Sequence, residues 1–186
     1  MDIFLLKNEF GGYKNIKPSI KQEQDVLVEK YGSKLLDEWK PISFVWDTED
    51  GDMSRDLFLY LGYILVCAKG VAHLFSSLKN SNQIELLPIL ISGEEFYVVN
   101  ICSKVEGSLN LKQSKVEYFK DHSIKWISDF VFSNSNNDAS LFHIAEFPTP
   151  IFCDDLFVAK VKESALTGLK FDKCKQAKNG LFSIFK

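Results

Sequence analysis

Five carboxylates fall within ten residues, Asp47-Thr48-Glu49-Asp50-Gly51-Asp52-Met53-Ser54-Arg55-Asp56, against a single base. The stretch carries net −4 while the whole chain carries −3, so the remaining residues are close to neutral. Acids at this density could hold Ca²⁺, or could attract a basic partner over a distance. A calcium loop needs a glycine halfway along and a closing glutamate in fixed register. Counted from Asp47, the glycine position holds Asp52 and the glutamate position holds Phe58; counted from Asp50, the glycine position holds Arg55. Neither register fits calcium. Two readings stand: a solvated acidic loop between buried strands, or an electrostatic docking surface made by Asp47, Glu49, Asp50, Asp52 and Asp56.

Other reactive side chains are scattered. The histidines are His73, His122 and His143, and none has a second ligand at a spacing that shares one face of a helix or strand. No G-x-S-x-G elbow, no G-x-x-x-x-G-K-[ST] loop and no G-x-G-x-x-G turn occurs. Glu94-Glu95 falls in a hairpin turn, where water keeps both carboxylates ionised and unsuited to general-acid work. Cys67, Cys102, Cys153 and Cys174 are too widely spaced for a zinc knuckle or a redox pair, and read as reduced, apolar thiols. No metal or cofactor is expected. A small enzyme or ligand-binding domain, with a site assembled from His73, His143 and Glu146, is the alternative to a binding protein.

Composition narrows the partner. The chain has 186 residues, 46% apolar and 25% charged, as expected of one globular domain spanning residues 1–186. Arg55 is the only arginine among 22 cations, and two-pronged recognition of phosphate or guanine usually recruits arginine. Nucleic acid is therefore not an expected partner. Met1-Asp2 followed by the four-residue apolar run Ile3 to Leu6 lacks the cationic start and length of a signal peptide. The longest uncharged apolar segment, Leu57 to Ala68, has twelve residues where a bilayer span needs about 18 or more. These features predict a cytoplasmic protein with no membrane partner. Lysines Lys173, Lys175, Lys178 and Lys186 with Leu181-Phe182-Ser183-Ile184-Phe185 read as a terminal strand or frayed tail rather than an interfacial helix.

The elements that must position these groups follow from periodicity and turn signals. Ile3 to Leu6 reads as a short buried strand, broken at Gly11-Gly12. Leu27, Tyr31, Leu35 and Trp39 recur every four residues, a helical face that Gly32 interrupts, and Pro41 closes it before the strand Ile42 to Trp46. Val71, Leu74, Phe75 and Leu78 form a helical stripe. Ile84 to Ile91 and Phe96 to Ile101 form a hairpin about Ser92-Gly93-Glu94-Glu95, with Pro88 expected at an edge or bulge. Strands are predicted at Lys115 to Phe119, Ile124 to Phe132 and Leu141 to Phe147, with Ser133 to Asp138 as a loop. A final helix opens at Asp154 or Asp155, carries Phe157, Val161 and Ala165, and stops at Gly168 before a strand at Leu169 to Phe171. The fold class is α+β, mainly antiparallel sheet with two or three helices packed on it.

From Leu87 onward the sequence resembles the immunity protein 11 family, small bacterial proteins encoded beside polymorphic toxins. The resemblance is carried by Leu87-Pro88, Phe96-Tyr97-Val98-Val99-Asn100, Leu141-Phe142-His143-Ile144, Pro150-Ile151-Phe152-Cys153-Asp154 and Ala165-Leu166-Thr167-Gly168-Leu169-Lys170-Phe171. It is clearest from about residue 57 to 172 and weak over the first 55. His143 stands where the family usually places a basic residue, and Cys153 where a small polar residue commonly precedes the helix. The resemblance implies a cytoplasmic inhibitor rather than an enzyme, one that occludes a cognate toxin domain stoichiometrically. It also implies that the acidic loop could mimic phosphate in a toxin's basic cleft.

Overall fold

The computed structural model describes residues 1–49, 51–133 and 138–177. In chain order the strands are β1 (Ile3–Asn8), β2 (Gly12–Tyr13), β3 (Asn15–Pro18), β4 (Ile42–Asp47), β5 (Gly51–Met53), β6 (Leu57–Tyr60), β7 (Ile64–Ala68), β8 (Ile84–Ile91) and β9 (Glu94–Ile101). They continue as β10 (Lys104–Val105), β11 (Lys115–Tyr118), β12 (Ile124–Asp129), β13 (Val131–Phe132), β14 (Leu141–Ile144), β15 (Phe147–Asp154), β16 (Leu169–Lys173) and β17 (Lys175–Gln176). The α-helices among the described residues are α1 (Lys21–Lys30), α2 (His73–Ser76) and α3 (Asp155–Glu163).

Two larger sheets carry the molecule, one ordered β3-β4-β8-β9-β7-β6 and the other β10-β14-β15-β1-β16. Side-chain alternation along each strand assigns the faces. Leu57, Leu59, Leu65, Cys67, Val99 and Ile101 of the six-stranded sheet join Leu6, Leu141, Ile151 and Cys153 of the five-stranded sheet in one core, sealed by Phe157, Val158 and Val161 of α3. Their sequence neighbours Phe58, Tyr60, Ile64, Val66 and Val98 point the other way, onto Leu27 of α1. On the far side of the five-stranded sheet, Ile3, Phe142, Ile144 and Phe152 pack with Ile127, Phe130 and Phe132. Leu57–Tyr60 and Ile64 to Cys67 are buried on both faces because they form the β6–β7 hairpin inside this stack, while the turn at Leu61 and Gly62 is exposed.

The fold is α+β, but its sheets are mixed. β4 runs parallel to β8, β10 to β14, β2 to β5 and β13 to β17, so the antiparallel expectation holds for the hairpins and not throughout. The first helix is shorter than its four-residue spacing predicts. It ends at Lys30, Tyr31 turns to extended backbone, and Gly32 at φ +83° leads into a single turn at Leu36–Glu38. The stripe Val71 to Leu78 is buried as expected, yet only His73–Ser76 is α-helical. Pro88 sits in an interior strand, beyond the β4–β8 pairing that begins at Ile42–Ile89. Its carbonyl accepts from Trp39 Nε1 at 2.8 Å, which caps the side where a ladder partner is missing.

The last helix starts as predicted: Asp154 is the cap, and its Oδ1 accepts the Phe157 N–H at 2.9 Å. Its stop is not Gly168 but Ala165, at φ +51°, where Leu166 N–H reaches back to the Val161 carbonyl at 3.1 Å. Ala165 therefore lies outside the helix and is exposed. Gly168 has a different duty: a Cβ there would lie 2.2 Å from the Leu57 carbonyl oxygen. The expected loop residues 134–137 and the terminal Leu181 to Phe185 lie outside the described residues.

Candidate partner-docking surface

The acidic stretch leaves the end of β4, turns at Thr48–Gly51 and returns through β5 to the buried start of β6. β5 lies parallel to β2, pairing Gly12 with Gly51 and Tyr13 with Met53, and Lys14 N–H donates to the Met53 carbonyl at 2.9 Å. The approach is close enough that a Cβ on Gly51 would lie 2.0 Å from Gly12 backbone. Only glycine fits there, which explains the Gly within an otherwise acidic run.

The five acids do not act as one group. Asp47 is half-buried, 3.7 Å from Lys17 Nζ, and its Oδ1 accepts the Glu49 N–H at 3.2 Å. Asp56 is turned inward, accepting from Thr167 N at 2.9 Å and Thr167 Oγ1 at 2.8 Å. That carboxylate fastens the loop to the turn before β16. Glu49 and Asp52 are exposed and make no ion pair among the described residues. Asp50 lies outside the described residues.

Arg55, the one base of the stretch, is 7% exposed. Its Nη2 donates to the Lys14 carbonyl at 2.9 Å and to Asn15 Oδ1 at 2.8 Å. Its guanidinium lies 4.7 Å from the Phe58 ring and 5.6 Å from the Tyr13 ring. No carboxylate pairs with it among the described residues, and burial pulls its pKa below the ordinary arginine value. Arginine suits this place because a planar cation can stack on rings and donate in two directions at once. No local spacing signals this clamp, because its partners Lys14 and Asn15 lie 41 and 40 residues away in the chain.

The alternative site does not assemble. His73 is exposed on α2, with Nδ1 3.0 Å from the Gly70 carbonyl. Glu146 Oε1 accepts the Gly107 N–H at 2.9 Å. His143 is 2% exposed on the inter-sheet face of β14, where its Nδ1 donates to the Pro150 carbonyl at 3.0 Å and its Nε2 has no partner among the described residues. No hydrogen bond joins any two of the three. His143 does line a cleft of about 380 Å³ with Tyr31, Tyr63 and Lys104. Burial lowers its pKa to about 4, so the ring is neutral near pH 7. Among the described residues no cluster of His, Cys, Asp or Glu could hold a metal ion, and no helix is long and apolar enough to cross a membrane.

Residues 3–176 match the sequence family described as immunity protein family (Imm11). The chain belongs to the Imm11 immunity protein family. The match takes in β1 through β17, including the first 55 residues over which the sequence resemblance is weak. No curated protein matches the chain. Membership of Imm11 points to a toxin-immunity role and to a protein as partner. Exposed apolar side chains of this Imm11 chain include Phe10, 88% exposed between β1 and β2, and Trp126, 56% exposed on β12.

Proposed function

We propose that this protein binds and neutralises a cognate bacterial polymorphic toxin in the cytoplasm by stoichiometric occlusion, without making or breaking a covalent bond. The observation that carries the reading is the family match across residues 3–176. The docking surface is the acidic stretch Asp47, Glu49, Asp50, Asp52 and Asp56, which steers a basic toxin face onto the protein. Its members have separate roles: Glu49 and Asp52 offer exposed charge, while Asp47 and Asp56 hold the loop in place. The test is co-expression with the toxin domain encoded in the neighbouring reading frame. Rescue of growth and a one-to-one complex in solution support the reading; continued killing in the presence of folded protein refutes it.

The second reading, a small enzyme or ligand-binding domain, has one support: buried His143 carries an unpartnered Nε2 and lines the 380 Å³ cleft. Full protection by a His143→Leu variant would discard it as the basis of the biological role.

A further inference from the structure

The geometry points to the cleft beside His143 as the site of a small carboxylate that also carries a hydroxyl. The carboxylate pairs with Lys104, and the hydroxyl donates to His143 Nε2. This rests on the second reading above, for which it names the ligand, and it stands apart from toxin binding.

The site begins at a break in the ladder. β14 and β15 pair Phe142 with Phe152 and then Ile144 with Phe147, so residues 148–151 stand opposite His143 alone. The pairing of β15 with β1 stops at Leu5 and Phe152, which leaves that stretch without a strand partner on the other side as well. Pro148 and Pro150 suit it, since neither has an N–H to leave unmet. Bulges of this kind re-aim side chains beside functional sites. Here the His143 ring fills part of the gap, its Nδ1 donating to the Pro150 carbonyl at 3.0 Å. With the proton on Nδ1, Nε2 is an acceptor; it is closed to bulk water and has no partner among the described residues. Tyr31 stands edge-on to the ring at 5.7 Å but cannot supply the donor, because its hydroxyl already donates to the Val99 carbonyl. An unmet buried acceptor costs about 1–3 kcal/mol, which a ligand hydroxyl recovers.

The other contacts select the ligand. Lys104 lies directly across from His143 in the parallel β10–β14 register, is exposed and makes no ion pair among the described residues. A carboxylate complements it. No acid lines the cleft: Glu106 is exposed outside the lining, and Glu146 is turned to the Gly107 N–H at 2.9 Å. The donor to Nε2 is a hydroxyl rather than an ammonium, which Lys104 repels. Between the two polar ends the walls are Val28, Tyr63 and Pro148, and the volume of about 380 Å³ suits a small molecule with an apolar body. Pro148 and Thr149 are exposed at the rim and unpaired in the ladder, so this edge is the part that shifts to admit the hydroxyl.

The probe is phenyllactate, titrated into full-length protein carrying nitrogen-labelled histidine and followed by NMR. The His143 Nε2 resonance should move while those of exposed His73 and His122 stay in place, with a Kd of about 1 mM or tighter. Phenylpropionate, which lacks only the hydroxyl, should bind about fivefold or more weakly. Lys104→Met should weaken phenyllactate binding about tenfold at an unchanged melting temperature, because the side chain is exposed. No movement of Nε2 up to about 10 mM, equal affinity for the two acids, or undiminished binding by Lys104→Met overturns the site. Protein that protects against the toxin without binding phenyllactate overturns the site alone. Protein that binds phenyllactate as described but does not protect supports the site and overturns the immunity reading.

Discussion

The Arg55 guanidinium stacks 4.7 Å from the Phe58 ring, and the two residues come from opposite sides of one strand entry: Arg55 ends the acidic loop and Phe58 opens the core of β6. A charged group therefore joins the surface loop to the hydrophobic interior through its flat face rather than through a salt bridge. Arg55→Met keeps apolar bulk but leaves the Lys14 carbonyl and Asn15 Oδ1 without this donor. We expect a loss of about 2 kcal/mol in denaturant unfolding. Arg55→Lys should recover only part of it, since a lysine offers a point charge where a two-directional donor sits.

Within the acidic stretch, stability and association should separate by residue. The double variant Glu49→Gln/Asp52→Asn alters two exposed, unpaired side chains and should change stability by less than about 0.5 kcal/mol. Stopped-flow association with the toxin domain should nevertheless slow, and its salt dependence flatten. Asp56→Ala should do the reverse, lowering stability by about 1 kcal/mol through loss of the Thr167 contacts. Unchanged association kinetics in the double variant would remove these two acids from the docking surface.

His143 sets a pH dependence with a definite sign. Its ring titrates near pH 4 when folded, against an ordinary value of 6.5. Between these limits the unfolded chain takes up a proton that the folded chain refuses, so stability is full above about pH 6.5 and falls as the pH drops towards 4. The loss amounts to about 3 kcal/mol across that window. Lys104 at the same cleft opposes the protonated ring further, and the facing Tyr31 stays neutral because burial raises its pKa. Carboxylates with lowered pKa values, such as Glu95 and Asp172, lose their contribution only below the ordinary carboxylate range. Urea denaturation of His143→Leu at pH 7 and pH 5 should show a smaller difference than wild type; an equal difference would clear His143 of the effect.

Two turn positions should respond oppositely to small changes. Ala165→Gly relieves a left-handed residue at the stop of α3 and should stabilise by up to about 1 kcal/mol. Gly168→Ala drives a methyl group to 2.2 Å from the Leu57 carbonyl oxygen, at a φ of +103°, and should destabilise by more than about 2 kcal/mol. Thermal melts of the two variants measure both.

Much of this arrangement is legible in the chain itself. Alternating β-branched and aromatic residues mark β8 and β9, and Ser92-Gly93 supplies two left-handed residues for the tight turn between them. Asp154 before an apolar stripe marks the start of α3. What stayed hidden depends on partners distant in sequence. Pro88 reads as an edge signal, and although β8 is an interior strand Pro88 itself lies before the β4 pairing begins at Ile89, on a locally open edge where Trp39, 49 residues away, takes its carbonyl. Ala165 loses its place in the helical stripe because the turn to β16 must bring Gly168 against Leu57. The acidic run reads as one patch until Thr167 claims Asp56 and Lys17 approaches Asp47.

The position of β1 has a consequence for synthesis. It lies between β15 and β16, with Ile3 opposite Asp154 and Asn8 opposite Leu169. β1 must therefore wait, both edges open, until β15 and β16 have been made. Such long-range closure makes folding of this sheet slow relative to helical proteins of equal length. Until β15 and β16 arrive, the two open edges of β1 are free to pair wrongly, so this strand is where misfolding of the sheet would begin.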